Sequence, residues 1–153
     1  MTARPHILIV ESRYYAEVAA ELLQGAVATL EAAGASHDRL EVPGAFEIPG
    51  AIALAAAPGA GYDGPAYDGF VALGCVIRGE TSHYDYVCGE SARGLMDLSV
   101  GRGLAIGYGI LTVDNREQAM ERAAVDRKNK GRDAAEAALH MVELRARFER
   151  QGP

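Results

Sequence analysis

Apolar positions change period along the chain, and each change marks an element. Residues 6–10 form a short apolar run that reads as a strand. Tyr15, Val18, Ala19, Leu22, Leu23, Ala26, Val27 and Leu30 then recur at three- and four-residue spacing, a helical stripe stopped by Gly34. Residues 39–42 read as a second strand and the Ala-rich segment 51–57 as a short helix. Residues 70–77 are an almost unbroken apolar run with β-branched content, the pattern of a strand covered on both faces in a parallel sheet. The run breaks at residues 78–83. Tyr84, Val87, Cys88, Ser91, Ala92, Leu95 and Met96 then follow a helical period. Ser82 with Asp85 three residues on resembles a capping box, which places the helix start near Thr81 or Ser82. Residues 104–113 read as a fourth strand, and Asp114-Asn115 as the cap of a short helix through Arg122. A last helix begins near Gly131-Arg132-Asp133 and turns Ala134, Ala138, Met141, Val142 and Phe148 inward.

Strand and helix thus alternate four times, with one helix added at the end. Right-handed crossovers convert this order into an α/β protein, a three-layer α/β/α sandwich with a four-stranded parallel sheet, flavodoxin-like in topology. The 153 residues are expected to form a single domain, 1–153. Composition narrows the function classes. A net charge of −6 argues against nucleic acid as a main partner. No apolar run approaches the ~20 residues that span a bilayer, so no membrane partner is expected. The opening residues enter a strand without a signal-peptide pattern. Cys75 and Cys88 lack metal or redox spacing and read as buried thiols of a reducing compartment, and the four His are scattered. The expectation is a cytoplasmic protein with no metal site. There is no internal repeat and no GxGxxG turn after the first strand, so a dinucleotide site is not indicated.

Chemistry concentrates where the third strand passes into its helix. A helix N-terminus offers free backbone N–H groups and positive potential, and the C-terminal edge of a parallel sheet is where such folds bind ligands. Here the junction carries Arg78, Gly79, Thr81, Ser82 and His83; the alternative is a capped turn with an exposed His. In the first helical turn the dipole disfavours a protonated His83, which suits an imidazole working as acid and base. Residues 43–50 form two Pro-Gly turns around Ala45, Phe46 and Glu47, a rigid loop that holds a carboxylate at a strand end. Phe46 is either core or part of that site. Tyr14, at the end of the first strand, is either a lid on the helix or a stacking surface. Glycines at 103, 107 and 109 imply close approach of another backbone or a ligand, and Tyr108 between them is either core or pocket wall. The basic stretch Arg122, Arg127, Lys128, Lys130 and Arg132 reads as a solvated loop, and residues 58–67 as a surface linker.

Together these stretches resemble the lumazine synthase family of riboflavin biosynthesis over nearly the whole chain. The most specific pieces are Val-Pro-Gly-Ala-Phe-Glu-Ile-Pro at 42–49 and Leu-Gly-Cys-Val-Ile-Arg-Gly-Glu-Thr-Ser-His-Tyr-Asp-Tyr-Val at 73–87. Tyr-Gly-Ile-Leu-Thr at 108–112, Glu-Gln-Ala-Met-Glu-Arg-Ala at 117–123 and Asn-Lys-Gly at 129–131 support them. The resemblance implies a cofactor-free condensation of 5-amino-6-(D-ribitylamino)uracil with 3,4-dihydroxy-2-butanone 4-phosphate. By position, Tyr14 would stack on the pyrimidine, where relatives more often have Phe or Trp. Ala45, Phe46 and Glu47 would line the ribityl chain. Cys75, Val76 and Ile77 would border the uracil through backbone groups. Glu80 and Thr81 would bind the phosphate substrate, Arg122 would clamp it, and His83 would move protons. Tyr108 and Lys130 would complete the pocket. The resemblance also implies a homopentamer with sites at subunit interfaces, to which a neighbour lends Tyr108, Arg122 and Lys130.

Two departures weigh against a sixty-subunit shell: the five residues before the first strand, and a loop at 124–128 without the glycines common in shell-forming members. A binding protein of the same fold would have no need of Glu47, His83 and Arg122 together. A receiver-like signalling domain would want an acidic pocket or phosphate loop after the first strand, which Glu11-Ser12-Arg13-Tyr14 does not supply.

Overall fold

The computed structural model describes residues 4–57 and 66–151. Most of the proposed linker, 58–65, lies outside the described residues; Tyr67 at its end stacks on His6 at 4.9 Å. Four strands, β1 (His6–Ser12), β2 (Ser36–Val42), β3 (Gly69–Ile77) and β4 (Ile106–Val113), form one sheet in the order β2-β1-β3-β4, every pair parallel. The helices are α1 (Ala16–Ala32), α2 (Ile48–Ala56), α3 (His83–Arg102), α4 (Arg116–Ala123) and α5 (Lys130–Arg150). Order and direction give the flavodoxin-like three-layer sandwich expected from the pattern.

Alternation along β1 decides the layers. Ile7 and Ile9 face a core shared with α1, α4 and α5, whereas Leu8 and Val10 face a second core shared with α2 and α3. Both faces of β3 are covered as well, with Val71 and Leu73 on one side and Phe70 and Ala72 on the other. Phe70, 2% exposed, contributes about 1.5–3 kcal/mol by burial alone. Of the glycines at 103, 107 and 109, Gly103 lies outside β4 as the left-handed C-cap of α3, and Gly107 faces the backbone of α5. A Cβ on Gly107 would run into the Ala134 carbonyl and sit 3.1 Å from the Ala138 amide nitrogen, so Gly107 lets α5 lie directly on β4.

Several boundaries and facings differ from the sequence pattern. Residues 45–47 form a 3-10 turn and α2 starts at Ile48 with Pro49 in its first turn, so the expected loop is partly helical. Ser82 precedes α3 in a helical conformation (φ −71°, ψ −1°) and its side chain caps nothing, so the capping box does not form. The Thr81 hydroxyl instead accepts from the His83 amide at 3.3 Å, and Asp85 turns toward Arg78. Only Val87, Ser91 and Leu95 of α3 are fully buried, which leaves Met96 61% exposed. On α5, Phe148 and Met141 face outward, contrary to expectation. A helix of 21 residues spans ~31 Å and the eight residues of β4 ~26 Å, so the last turn outruns the sheet. The cap of α4 forms as expected, with Asn115 accepting from the Gln118 amide at 2.9 Å.

Candidate active site

The sheet order reverses between β1 and β3, since β1 leads outward to β2 and β3 leads the other way to β4. Helices on opposite faces part at such a point and leave a crevice beyond the strand ends. A cavity of about 520 Å³ opens there. Its walls come from segments far apart in sequence: Tyr14 after β1, Ala45 to Glu47 after β2, Cys75 to Ile77 at the end of β3, and Thr81 and His83 at the start of α3.

Exposure separates its parts. Ala45 is buried and forms the floor with the half-buried end of β3. Tyr14 and Phe46 stand 76% and 55% exposed at the mouth. Phe46 is therefore not core, and Tyr14 stands at the cavity mouth as an exposed ring. Two apolar rings held in solvent beside a crevice are surface available to a planar ligand. Glu47 and His83 are both exposed and both line the cavity. Cys75 is the thiol of the floor, and burial pushes it up from its ordinary 9.0 to about 11, so it is protonated at neutral pH.

Other cavity residues carried no signal of their own. Tyr15 stands at the N-cap of α1 and meets Tyr14 edge-on at 5.0 Å. Burial, then Cys75 and Tyr14, raises its phenol above the ordinary value. Tyr84 in the first turn of α3 lines the same space, and its phenol is likewise raised, first by burial. Both sit at positions where helix periodicity and pocket lining coincide, and the pattern reads only the first. Ser12 also lines the cavity, while its neighbour Glu11 is a carboxylate 1% exposed. Glu11 accepts from Arg13 and Arg39, each at 2.7 Å, which ties the middle of β2 to the turn that carries Tyr14.

Four expected site residues stand apart from this cavity. Glu80 is exposed in the loop before α3 and does not line it. Tyr108, 46% exposed rather than core, lines a separate groove of about 330 Å³ with Met96 and Leu95, and burial raises its phenol. Arg122 donates to the Gln118 carbonyl of its own helix at 3.1 Å. Lys130 pairs with Asp133 at 3.3 Å. Among the described residues of one chain the cavity therefore has an aromatic mouth, a carboxylate and an imidazole, but no lining Lys or Arg.

A parallel α/β sandwich with its crevice at the point of strand reversal, walled by aromatics and ending at a helix N-terminus, is a small-molecule-binding protein of flavodoxin-like architecture. Residues 4–146 match the family model described as 6,7-dimethyl-8-ribityllumazine synthase. The chain belongs to that family. It is 57% identical to the 6,7-dimethyl-8-ribityllumazine synthase of Bartonella tribocorum, over 97% of this chain and 95% of that protein. It is equally similar, at 57%, to that of Agrobacterium fabrum over 95% of this chain and 98% of the other. Synthase 1 of Rhizobium meliloti is 58% identical over 94% and 93%.

Proposed function

We propose that this single-domain protein condenses 5-amino-6-(D-ribitylamino)uracil with 3,4-dihydroxy-2-butanone 4-phosphate to give 6,7-dimethyl-8-ribityllumazine, releasing phosphate and water in the cytoplasm. The observation that carries the reading is the convergence of Tyr14, Phe46, Glu47, Cys75 to Ile77, Thr81 and His83 on one cavity at the switch point. Tyr14 stacks on the pyrimidine, whose edge meets backbone groups of Cys75, Val76 and Ile77. Ala45 and Phe46 pack along the ribityl chain and Glu47 accepts from its hydroxyls. The phosphate ester lies against the start of α3, held by the Glu80 main chain and the Thr81 hydroxyl, where backbone N–H groups and the dipole favour an anion.

The amine attacks the ketone and water leaves as the imine forms. Loss of phosphate follows, and ring closure by the ribitylamino nitrogen onto the remaining carbonyl expels a second water. Each step moves a proton between nitrogen, carbon and oxygen, and His83 at the wall between the two substrates relays them. Much of the acceleration comes from holding amine and ketone together, because the attack then becomes effectively unimolecular.

A doubly charged phosphate calls for a cation, and no Lys or Arg among the described residues lines one chain's cavity. In our reading a homopentamer supplies it: Arg122 clamps the phosphate of the adjacent subunit's site, with Tyr108 closing its uracil pocket and Lys130 nearby. Tyr108 flanks an apolar groove beside edge strand β4, a surface suited to such a contact. The test follows lumazine fluorescence with both substrates against the uncatalysed background. Wild-type protein accelerates the reaction, and Arg122→Ala mainly raises KM for the butanone phosphate. An unchanged KM removes Arg122 from the phosphate site, and no acceleration by folded protein overturns the catalytic reading.

A further inference from the structure

The loop between β3 and α3 is fixed by a residue that does not line the cavity. The Arg78 amide donates to the Val113 carbonyl at 2.8 Å, which carries the β3–β4 pairing one residue further. Its side chain then meets three partners. Nε donates to Asp114 Oδ1 at 3.0 Å, Nη1 lies 3.8 Å from Asp85 Oδ1, and the guanidinium stands over the Tyr84 ring with Cζ 4.3 Å from the centroid. One side chain thereby joins the first turn of α3 to the turn that starts α4.

From Asp114 the bonding runs on into α4. The Asp114 amide donates to Gln118 Oε1 at 2.7 Å, and the Gln118 carbonyl accepts from Arg122 Nη1 at 3.1 Å. A continuous path, Arg78–Asp114–Gln118–Arg122, connects the loop bearing Glu80 and Thr81 to the guanidinium of α4. Arg78 and Asp114 are 52% and 61% exposed, so the pair by itself adds little stability. Its effect is on geometry. A planar guanidinium stacks on a ring while donating in its own plane, which an ammonium does not do. Nε is committed to Asp114 and the ring face of the guanidinium to Tyr84, which fixes how the side chain lies.

We propose that Arg78 is a positioning residue for phosphate-ester binding, holding loop 79–82 and helix α4 in fixed relation. The proposal rests on the reading of Thr81 and Arg122 as phosphate contacts. Since loop and Arg122 serve adjacent sites of the ring in that reading, the path links one site to the next.

The experiment compares Arg78→Lys, Asp114→Asn, the double variant and Arg122→Ala in the full-length protein. Each substrate is varied in turn, and inorganic phosphate serves as competitive inhibitor. Arg78→Lys and Asp114→Asn each raise KM for the butanone phosphate and Ki for phosphate about tenfold, the double variant no further, and KM for the pyrimidine stays constant. An equal rise in both KM values, an effect of Arg78→Lys without one of Asp114→Asn, additivity in the double variant, or no change overturns the proposal. The second of these outcomes makes Arg78 a direct phosphate contact. If Arg122→Ala raises KM while the other variants do not, only the proposal fails; if Arg122→Ala is also silent, the phosphate reading falls with it.

Discussion

His83 and Cys75 show how two reactive residue types in one cavity take different parts. His83 is exposed at the cavity wall, open to solvent. General acid–base groups contribute ~10²–10⁴-fold, and a reaction dominated by proximity sits at or below the low end. His83→Ala is therefore expected to slow turnover about 10–100-fold in single-turnover fluorescence; complete inactivation of a folded variant would refute the proximity account. Cys75 is inert at neutral pH because burial, opposed by Arg116 and reinforced by Cys88, holds the thiol up at about 11. The stability sign follows from that shift. Below about 9 both folded and unfolded thiols are protonated and nothing is lost. Between about 9 and 11 the unfolded chain releases its proton first, so stability falls as pH rises. Urea unfolding at pH 8 and pH 10.5 should show a loss that shrinks in Cys75→Ala. An equal loss in both proteins would place it elsewhere.

Among the elements, α5 depends most on a missing side chain. Its N-cap Asn129 adopts φ 48° and accepts from the Arg132 amide at 3.4 Å. A Cβ on Gly131 would meet the Leu22 carbonyl of α1, so the helix start is wedged against backbone. At the next turn Gly107 admits it onto β4. Gly107→Ala must push the helix away and is expected to cost about 1–3 kcal/mol in urea unfolding, the usual range for overpacking. Gly101→Ala, with open space around the new methyl, is the control and should leave the midpoint nearly unchanged. Equal midpoints for both variants would mean that α5 slides without strain.

At the scale of the whole molecule, no Lys or Arg among the described residues lines the cavity, and Arg122, Lys130 and Tyr108 are turned elsewhere on the same chain. Subunit mixing tests the interface reading. His83→Ala and Arg122→Ala chains, each impaired alone, are dissociated together and reassembled. Shared sites predict activity above the mean of the parents, since some interfaces then carry an intact His83 and an intact Arg122. Sedimentation should give the mass of five 16.2 kDa chains. Activity no better than the parental mean would confine each site to one chain.

No helix of the described residues is long and apolar enough to cross a membrane. The amino-acid sequence by itself determined the order of elements, the parallel sheet and the segments that wall the cavity. Local period reports strand or helix, and the Ala-Phe-Glu and Thr-Ser-His stretches are contiguous. Facing and partnership were decided only in three dimensions. The capping box at Ser82 and Asp85 has the right letters, yet the Asp85 carboxylate faces Arg78 and its amide donates to the Ser82 carbonyl rather than the hydroxyl. Met96, Met141 and Phe148 fit an apolar stripe but lie on flanks or turns where the sheet does not reach. Glu11 meets Arg39 across 28 residues, and Arg78 meets Asp114 across 36. Such pairs depend on strand register, which periodicity does not encode, because a strand's period names the face of a residue and not the neighbour opposite it.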